Sequence, residues 1–557
     1  MAKDLTTPEL VGESIAPALA ERQGTGVPPV LDEAHIGDIR GALGTIRMHD
    51  SGERHGWRSR AMALLAIMGP GLIVMVGDND AGGVATYAQA GQNYGTSLLW
   101  VLLLIPVLIV NQEMVIRLGA VTGVGHARLI FERFGRFWGA FSVGDLFLLN
   151  FLTIVTEFIG VSLALGYFGV SKYLAVPIAA AVLVAITSTG SFRSWERFMY
   201  VFVVANFLVI PLLILAHPGA GDIVHDTFVP SIRGGASSTA VLLIIAIVGT
   251  TVAPWQLFFQ QSNIIDKRIT PRWINYERAD TVIGAFVVVI GAGALIAVAA
   301  FAFGGSSDFG HFSDAGAVAS ELAARLGSSA GTFFAIVLLN ASLIGAAAVT
   351  LATSYAFGDV FGAKHSLNRG PLDAKLFYAS FTAMVTAAAG VVLIPGAPLG
   401  LITTSVQALA GVLLPSATVF LLLLCNDREV LGPWCNAPWL NAVASVIVGV
   451  LVELSLILMA STLFPGVNVT QLFLYLSLAF VAILAAMAGF ALRNRPGAVV
   501  EVAKVSKERR SMWTMPPLAL LERPVWSPGR RAGMLLLRGY LVVAVLLLIV
   551  KTVQLGH

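Results

Sequence analysis

The sequence predicts an all-α protein that crosses a membrane many times. Of its 557 residues, 57% are hydrophobic and only 12% are charged, whereas soluble domains carry about 25% charged residues. Twelve apolar stretches are each long enough to cross a bilayer as a helix, for which about 17–25 residues suffice. In order, these predicted spans 1 to 12 lie near 62–93, 96–116, 139–168, 172–189, 198–216, 239–264, 280–303, 330–357, 375–394, 400–424, 437–463 and 471–492.

Polar segments lie at both ends of the chain. Residues 1–58 are rich in glycine, proline and charge, which predicts a disordered cytoplasmic tail. The rest divides into a ten-helix core at 59–425, two additional transmembrane helices at 426–495, and a basic cytoplasmic segment with a terminal hydrophobic helix at 496–557. Within that last segment, Arg538 interrupts the apolar run 534–550. The charge favours a helix that lies in the membrane interface over a thirteenth span.

Basic residues mark alternate loops. Lysines and arginines cluster between spans 2 and 3, 4 and 5, 6 and 7, and 8 and 9, while the other loops hold almost none. Because basic loops remain in the cytoplasm, we expect a multi-pass protein of the cell (plasma) membrane with a cytoplasmic N-terminus. The small net charge of +3 gives no indication of nucleic-acid binding.

Two spans are interrupted at matching positions. Span 1 contains Gly77-Asp78-Asn79-Asp80-Ala81-Gly82-Gly83, and span 6 contains Pro254 within 249–256. Glycine and proline disfavour a continuous helix. Helix breakers five spans apart predict an inverted repeat of spans 1–5 and 6–10, with a binding site at the midplane. The plainer alternative is that Pro254 merely kinks span 6.

Asp80 lies in the middle of the apolar first span. A carboxylate at this depth costs about 2.5–3.5 kcal/mol on insertion scales, and an ionisable residue inside a span indicates a functional site. The carbonyl groups at the end of each interrupted half-helix present the negative end of a dipole. Together with Asp80, they favour a cation as the ligand.

The residues around both breaks resemble those of the NRAMP divalent-metal transporters. The resemblance is carried by Gly69-Pro70-Gly71, by 80–86 and by 249–256, and it extends over residues 60–425. It implies a LeuT-type fold in which broken helices 1 and 6 hold the metal. It also implies ligand roles for the Asp80 carboxylate and the Thr250 carbonyl, with Gln407 on span 10 helping to line the site.

The chain departs from that family at two ligand positions, and the departures resemble the NRAMP-related magnesium transporters. Gly83 stands where the family has asparagine, and Ala253 stands where it has methionine. A thioether suits thiophilic metals, whereas Mg²⁺ prefers oxygen and keeps much of its water. We therefore expect a wider, all-oxygen cavity for hydrated Mg²⁺. Asp78 and Gln256 are further candidates for holding that ion.

Positions that the resemblance associates with proton movement also differ. Trp255 and Gln260 replace two histidines of span 6, and Phe147 and Ile154 replace two acids of span 3. Histidine titrates most readily near neutral pH, so these losses argue against proton coupling. Glu157, which matches a third acid, keeps the question open.

The predicted function is uptake of divalent metal ions by alternating access, with hydrated Mg²⁺ first and Mn²⁺ also possible. The metal is the transported substrate, and we predict no cofactor, catalytic residue, nucleic acid or obligate protein partner. Two alternatives are a proton-coupled Mn²⁺ or Fe²⁺ transporter and a LeuT-like carrier of organic substrates with Asp80 as counter-ion. An intramembrane enzyme is disfavoured, because the sequence has no His-Glu-x-x-His motif.

Overall fold

The computed structural model describes residues 33–50, 52–396, 399–464, 466–493, 506–521, 533–543 and 546. Helices dominate these residues. In chain order they are α1 Trp57–Ile67, α2 Pro70–Val76, α3 Ala81–Tyr94, α4 Ile105–Thr122, α5 His126–Phe134, α6 Arg136–Tyr167, α7 Lys172–Thr187, α8 Phe192–Ala205, α9 Val209–Leu215, α10 Ala220–Phe228, α11 Ser238–Thr251, α12 Pro254–Asp266, α13 Ile274–Phe303, α14 Ala315–Leu326, α15 Ser328–Phe361, α16 Lys375–Val392, α17 Leu399–Cys425, α18 Arg428–Leu431, α19 Pro438–Leu463, α20 Val469–Arg493, α21 Lys507–Met512 and α22 Gly533–Val543. Short 3₁₀ turns lie at Glu33–His35, Leu99–Leu102, Asn206–Leu208, Pro271–Trp273, Gly432–Trp434 and Leu518–Leu520.

The predicted spans coincide with helices of the structure. Among the described residues, 10 helices are long and apolar enough to cross a membrane, and the pair α1 and α2, bent by 59°, brings the number to 11. The fourth predicted span corresponds to the shorter α7, with 16 residues. The prediction of a multi-pass helical membrane protein is therefore confirmed.

Span 6, span 8 and span 3 lie inside the protein, as does the half-helix α2 of span 1, whose residues are all buried. Span 6 and span 8 are each 83% buried over their most apolar window, and span 3 is 72% buried. Span 12, by contrast, is 6% buried in its window and lies at the lipid-facing edge. Polar groups on spans 3, 6 and 8 are thus shielded from lipid, as an intramembrane site requires.

Span 1 is interrupted in two places. The first interruption lies at Met68 and Gly69, between α1 and α2, and Gly69 has φ 151°, which only glycine adopts readily. The second separates α2 from α3 over Gly77 to Asp80. It ends earlier than the predicted 77–83, because Oδ1 of Asp80 accepts a hydrogen bond from the Gly83 N–H at 2.7 Å and so caps α3.

Span 6 is also broken rather than kinked. Helix α11 ends at Thr251 and α12 begins at Pro254, so Val252 and Ala253 lie between two separate helices. Pro254 occupies the first helical position of α12, where its missing N–H costs little. The alternative of a continuous, kinked helix is therefore wrong.

Part of the predicted disordered tail is folded. Strands β1 Ile39–Gly41 and β2 Gly44–Ile46 form an antiparallel hairpin in which Ile39 pairs with Ile46. Both isoleucines are buried and the hairpin packs on α1, while the Ala42 N–H donates to the Glu196 carboxylate on α8. The prediction is wrong for this segment, because apolar burial and that bond stabilise it. Residues 1–32 lie outside the described residues.

The C-terminal segment also packs against the ten-helix core, at the ends of α4 and α6. The Met515 N–H donates to the Val121 carbonyl at 3.0 Å, and α22 places the Arg538 guanidinium 3.8 Å from the centre of the Phe137 ring. Apart from Leu546, the stretch beyond residue 543 lies outside the described residues. An interfacial position for 534–550 therefore stays a prediction.

Candidate metal site

Asp80 lies at the N-terminal end of α3, next to the break in span 1. It is 3% exposed, so its carboxylate is inside the protein and does not face lipid. Glu157 of α6 is its neighbour, because Oε2 of Glu157 accepts a hydrogen bond from the Ala81 N–H at 3.1 Å and the two carboxyl groups interact electrostatically. Two buried acids thus meet at the beginning of α3.

Gly83 brings the two broken spans into contact. A Cβ atom built on Gly83 would lie 3.1 Å from the carbonyl oxygen of Asp78 and 3.1 Å from Oγ1 of Thr250. Two oxygens from different half-helices therefore approach the same point. The expected widening at this position is not found, since the backbone of Gly83 packs closely where a larger side chain would need space.

Thr250 presents its oxygens at the end of α11. The helical donor to its carbonyl would be the N–H four residues later, but that residue is Pro254, which has none. The side-chain Oγ1 is buried and lacks a hydrogen-bond partner within the described part of the chain. A buried unsatisfied polar group costs about 1–3 kcal/mol, a cost that a bound cation would offset.

Gln407 extends from α17 towards both breaks. A Cβ atom added at Gly82 would overlap the side-chain amide of Gln407. A Cβ atom added at Gly249 would lie 2.5 Å from the backbone carbonyl oxygen of Gln407. Gln407 is 3% exposed, and its Nε2 has no hydrogen-bond partner in the residues described. Because the two ends of an amide are assigned from their surroundings, this side chain can offer an oxygen to a cation.

Asp78 places a second carboxylate in the span 1 break. It is fully buried, Gln256 of α12 donates from Nε2 to its Oδ1, and its Oδ2 has no partner among the described residues. Gln112 of α4 in turn donates to Oε1 of Gln256 at 3.2 Å. Gln256 therefore orients Asp78, and its oxygen is already engaged rather than free for an ion.

Gln112 is a site residue that the sequence analysis missed. The available signal was an amide within an otherwise apolar span, and Asn111 beside it is also fully buried.

Ala253 lies in the span 6 break and its side chain offers only a methyl group. Trp255, at a family histidine position, is buried and packs against Phe259 with ring centres 5.8 Å apart.

The candidate metal ligands at the two breaks are all oxygen atoms. They come from carboxylates (Asp78, Asp80), a hydroxyl and a carbonyl (Thr250) and an amide (Gln407). Over the described residues, no three His, Cys, Asp or Glu side chains are grouped so that they could hold a metal ion. An arrangement of carboxylate and neutral oxygens suits a hard divalent cation.

Comparison with known sequences identifies the family. Residues 71–461 match the family model described as natural resistance-associated macrophage protein-like, or Nramp. The divalent metal cation transporter MntH of Ralstonia nicotianae is 30% identical over 408 residues, which cover 68% of this chain and 87% of that relative. MntH of Xylella fastidiosa strain Temecula1 is 28% identical over 465 residues, covering 80% and 93%.

Solved structures agree with the fold. The Eremococcus coleocola manganese transporter, in complex with an aromatic bis-isothiourea substituted compound, aligns with a TM-score of 0.59 at 21% identity. The alignment covers 80% of this chain and 96% of that one. The architecture is therefore the LeuT-type fold of a multi-pass membrane protein with two broken helices, as the resemblance implied. The chain belongs to the Nramp family.

Proposed function

We propose that this protein is a secondary transporter that takes up divalent metal ions by alternating access. Its family membership supports this, as do relatives named divalent metal cation transporters. The observation that carries the proposal is the meeting of both breaks at Gly83, where the Asp78 carbonyl oxygen, Oγ1 of Thr250 and the Asp80 carboxylate all lie close by. Charge and neutral oxygen at one buried junction can replace part of the water around a cation.

Within this class, we propose that Mg²⁺ is the main substrate and that Mn²⁺ is also carried, as in the NRAMP-related magnesium transporters. Ala253 supplies no thioether, so the site lacks the soft ligand that favours transition metals. Asp78 adds a carboxylate that attracts hard ions. Because Gly83 is tightly packed, an ion that keeps its water enters only when the half-helices separate.

We propose that the ion's own electrochemical gradient drives transport without protons. A divalent ion gains about 4.6 kcal/mol per 100 mV, twice the value for a single charge. Since about 1.4 kcal/mol corresponds to a tenfold concentration ratio, this energy supports an ion concentration ratio of about a thousandfold across the membrane. One observation favours the alternative of a proton-coupled Mn²⁺ transporter: Glu157 lies beside Asp80.

The orientation of the protein in the membrane follows from the charge of the loops. Their basic residues support a plasma-membrane protein whose N-terminus is cytoplasmic. The face that carries the β1–β2 hairpin is then the inner face. Uptake moves the ion from the breaks towards that hairpin.

Vesicles containing the purified protein, a Mg²⁺ indicator and a pH indicator test the proposal. We expect Mg²⁺ uptake by the wild type, at least a tenfold loss in Asp80→Ala, and no internal acidification. Glu453→Ala is the matched control, since Glu453 is a buried carboxylate in span 11, 8% exposed, away from both breaks. It should transport as the wild type does.

Three outcomes contradict parts of this proposal. Wild-type vesicles that take up neither Mg²⁺ nor Mn²⁺ would overturn divalent-metal transport. Mn²⁺ uptake that millimolar Mg²⁺ does not compete with would overturn the Mg²⁺ preference. Acidification in step with metal uptake would replace the uncoupled mechanism with the proton-coupled one.

A further inference from the structure

A second buried polar cluster begins where the metal site ends. Gln256 and Gln260 lie four residues apart on α12 and therefore on the same face of the helix. Gln256 contacts Asp78 in the metal site, and Gln260 lies about 6 Å further along the helix axis, at 1.5 Å per residue. The cluster thus lies between the metal site and the face that carries the N-terminal hairpin.

The cluster contains more acidic than basic groups. Glu277 and Asp280 of α13 and Glu196 of α8 are fully buried, while Lys267 is 2% exposed. Lys267 pairs with Glu196, with Nζ to Oε1 at 2.5 Å. The Glu196 carboxylate is therefore paired, whereas neither Glu277 nor Asp280 forms a salt bridge with a basic side chain within the described residues.

Asp280 has a structural partner at one of its oxygens. Its Oδ2 accepts hydrogen bonds from the N–H groups of Gly69 at 2.9 Å and Gly71 at 2.8 Å, at the beginning of α2. Lys267 also donates to the Met68 carbonyl at 2.6 Å. Helix α2 therefore covers the cluster, and hydrogen bonds connect the residues at its beginning to Asp280 on α13 and to Lys267 at the end of α12.

Three acceptor oxygens of the cluster have no partner in the described residues. They are Oε1 of Gln260, Oε2 of Glu277 and Oδ1 of Asp280. Gln260 is aimed into the cluster, since its Nε2 donates to Oε1 of Glu277 at 3.3 Å and to Thr281 at 2.8 Å. Buried acidic groups are normally paired or bound to a metal, so two unpaired acidic oxygens and an unpaired amide oxygen in one buried cluster indicate a cation.

We propose that Gln260, Glu277 and Asp280 form an inner station, a second and transient binding site for the transported divalent cation. This inference rests on the proposed function. Mg²⁺ commonly binds through one or two carboxylates while it keeps several waters, and Glu277 and Asp280 supply two carboxylates. The ion reaches the inner station after it leaves Asp78, and it departs when α2 moves away from Asp280 and Lys267.

Neutralising Glu277 tests the inner station. Glu277→Gln keeps the shape and the hydrogen bond to Gln260 but removes the charge. We expect the Mg²⁺ uptake rate at saturating Mg²⁺ to fall at least fivefold in vesicles. The Kd for Mg²⁺ at the metal site between the two breaks, measured by calorimetry on the purified protein, should stay within twofold, and Glu277→Asp should recover part of the rate. Glu453→Gln, in span 11, is the control.

The outcomes separate this inference from the proposed function. Equal uptake by the wild type and Glu277→Gln overturns the inner station and leaves the function standing, whereas no Mg²⁺ uptake by the wild type overturns the function. If Glu277→Gln unfolds at a lower temperature, Gln260→Met, which removes the uncharged oxygen, replaces it and should also slow uptake. Loss of rate and affinity in equal proportion would show a structural role and contradict the inner station.

Discussion

The two broken spans supply different ligand groups to the metal site around Gly83. The break in span 1 runs from Gly77 to Asp80 and carries two carboxylates. The break in span 6 lies at Val252 and Ala253 and carries no charge. One break therefore contributes charge and the other contributes neutral oxygen.

The breaks also differ in what produces them. In span 1, side chains hold the irregular backbone: Asp80 caps α3, and Gln256 holds Asp78. In span 6, the backbone itself is responsible, since Pro254 cannot donate to the Thr250 carbonyl. A change in charge should therefore act mainly through span 1, and a change in backbone chemistry should act mainly through span 6.

Removing charge from the span 1 break should have the largest effect. Asp78→Asn keeps the contact with Gln256 but removes one of two carboxylates, and we expect the Kd for Mg²⁺ to rise at least tenfold. Calorimetric titration of the purified protein measures this. Asp145→Asn, which neutralises a span 3 acid that faces Ser416, should leave the Kd within twofold. Equal Kd values for wild type and Asp78→Asn would contradict the role of Asp78.

Restoring a donor in span 6 should have a smaller effect. Pro254→Ala provides an N–H for the Thr250 carbonyl, and a net hydrogen bond of about 1 kcal/mol corresponds to about a fivefold weaker affinity for the ion. Pro177→Ala is the matched control, because Pro177 lies inside another apolar helix, α7. An unchanged Kd in Pro254→Ala would show that the Thr250 carbonyl does not contribute to binding.

Adding a soft ligand should change selectivity more than rate. Ala253→Met places a thioether in the span 6 break, and we expect the ratio of Mn²⁺ to Mg²⁺ uptake to rise about threefold, since sulfur favours transition metals. Competition between the two metals in vesicles measures the ratio. An unchanged ratio in Ala253→Met would contradict the account based on ligand softness.

Gly83→Asn should instead slow uptake of both metals, because the asparagine side chain enters the tightly packed space between the two breaks.

The length of the apolar stretches was enough to predict the spans, and glycine and proline were enough to predict the two breaks. These features depend on neighbouring residues in the chain, so the sequence alone reveals them. The sequence did not predict the role of Gln112 or Glu277, because the contacts of each depend on how separate spans pack. Gln112 reaches Gln256, 144 positions away. The expected wide cavity at Gly83 is not found, because the Asp78 carbonyl and Thr250, which belong to different spans, pack closely against it.

The hairpin before the first span has a consequence for biosynthesis. It is made early, yet its Ala42 bonds with Glu196, 154 positions later, and Lys267, which pairs with Glu196, follows later still. The hairpin can pack on α1 as soon as both are made, but it cannot complete its native contacts until the fifth and sixth spans have been produced and have entered the bilayer. The hairpin is thus translated early and completes its docking late.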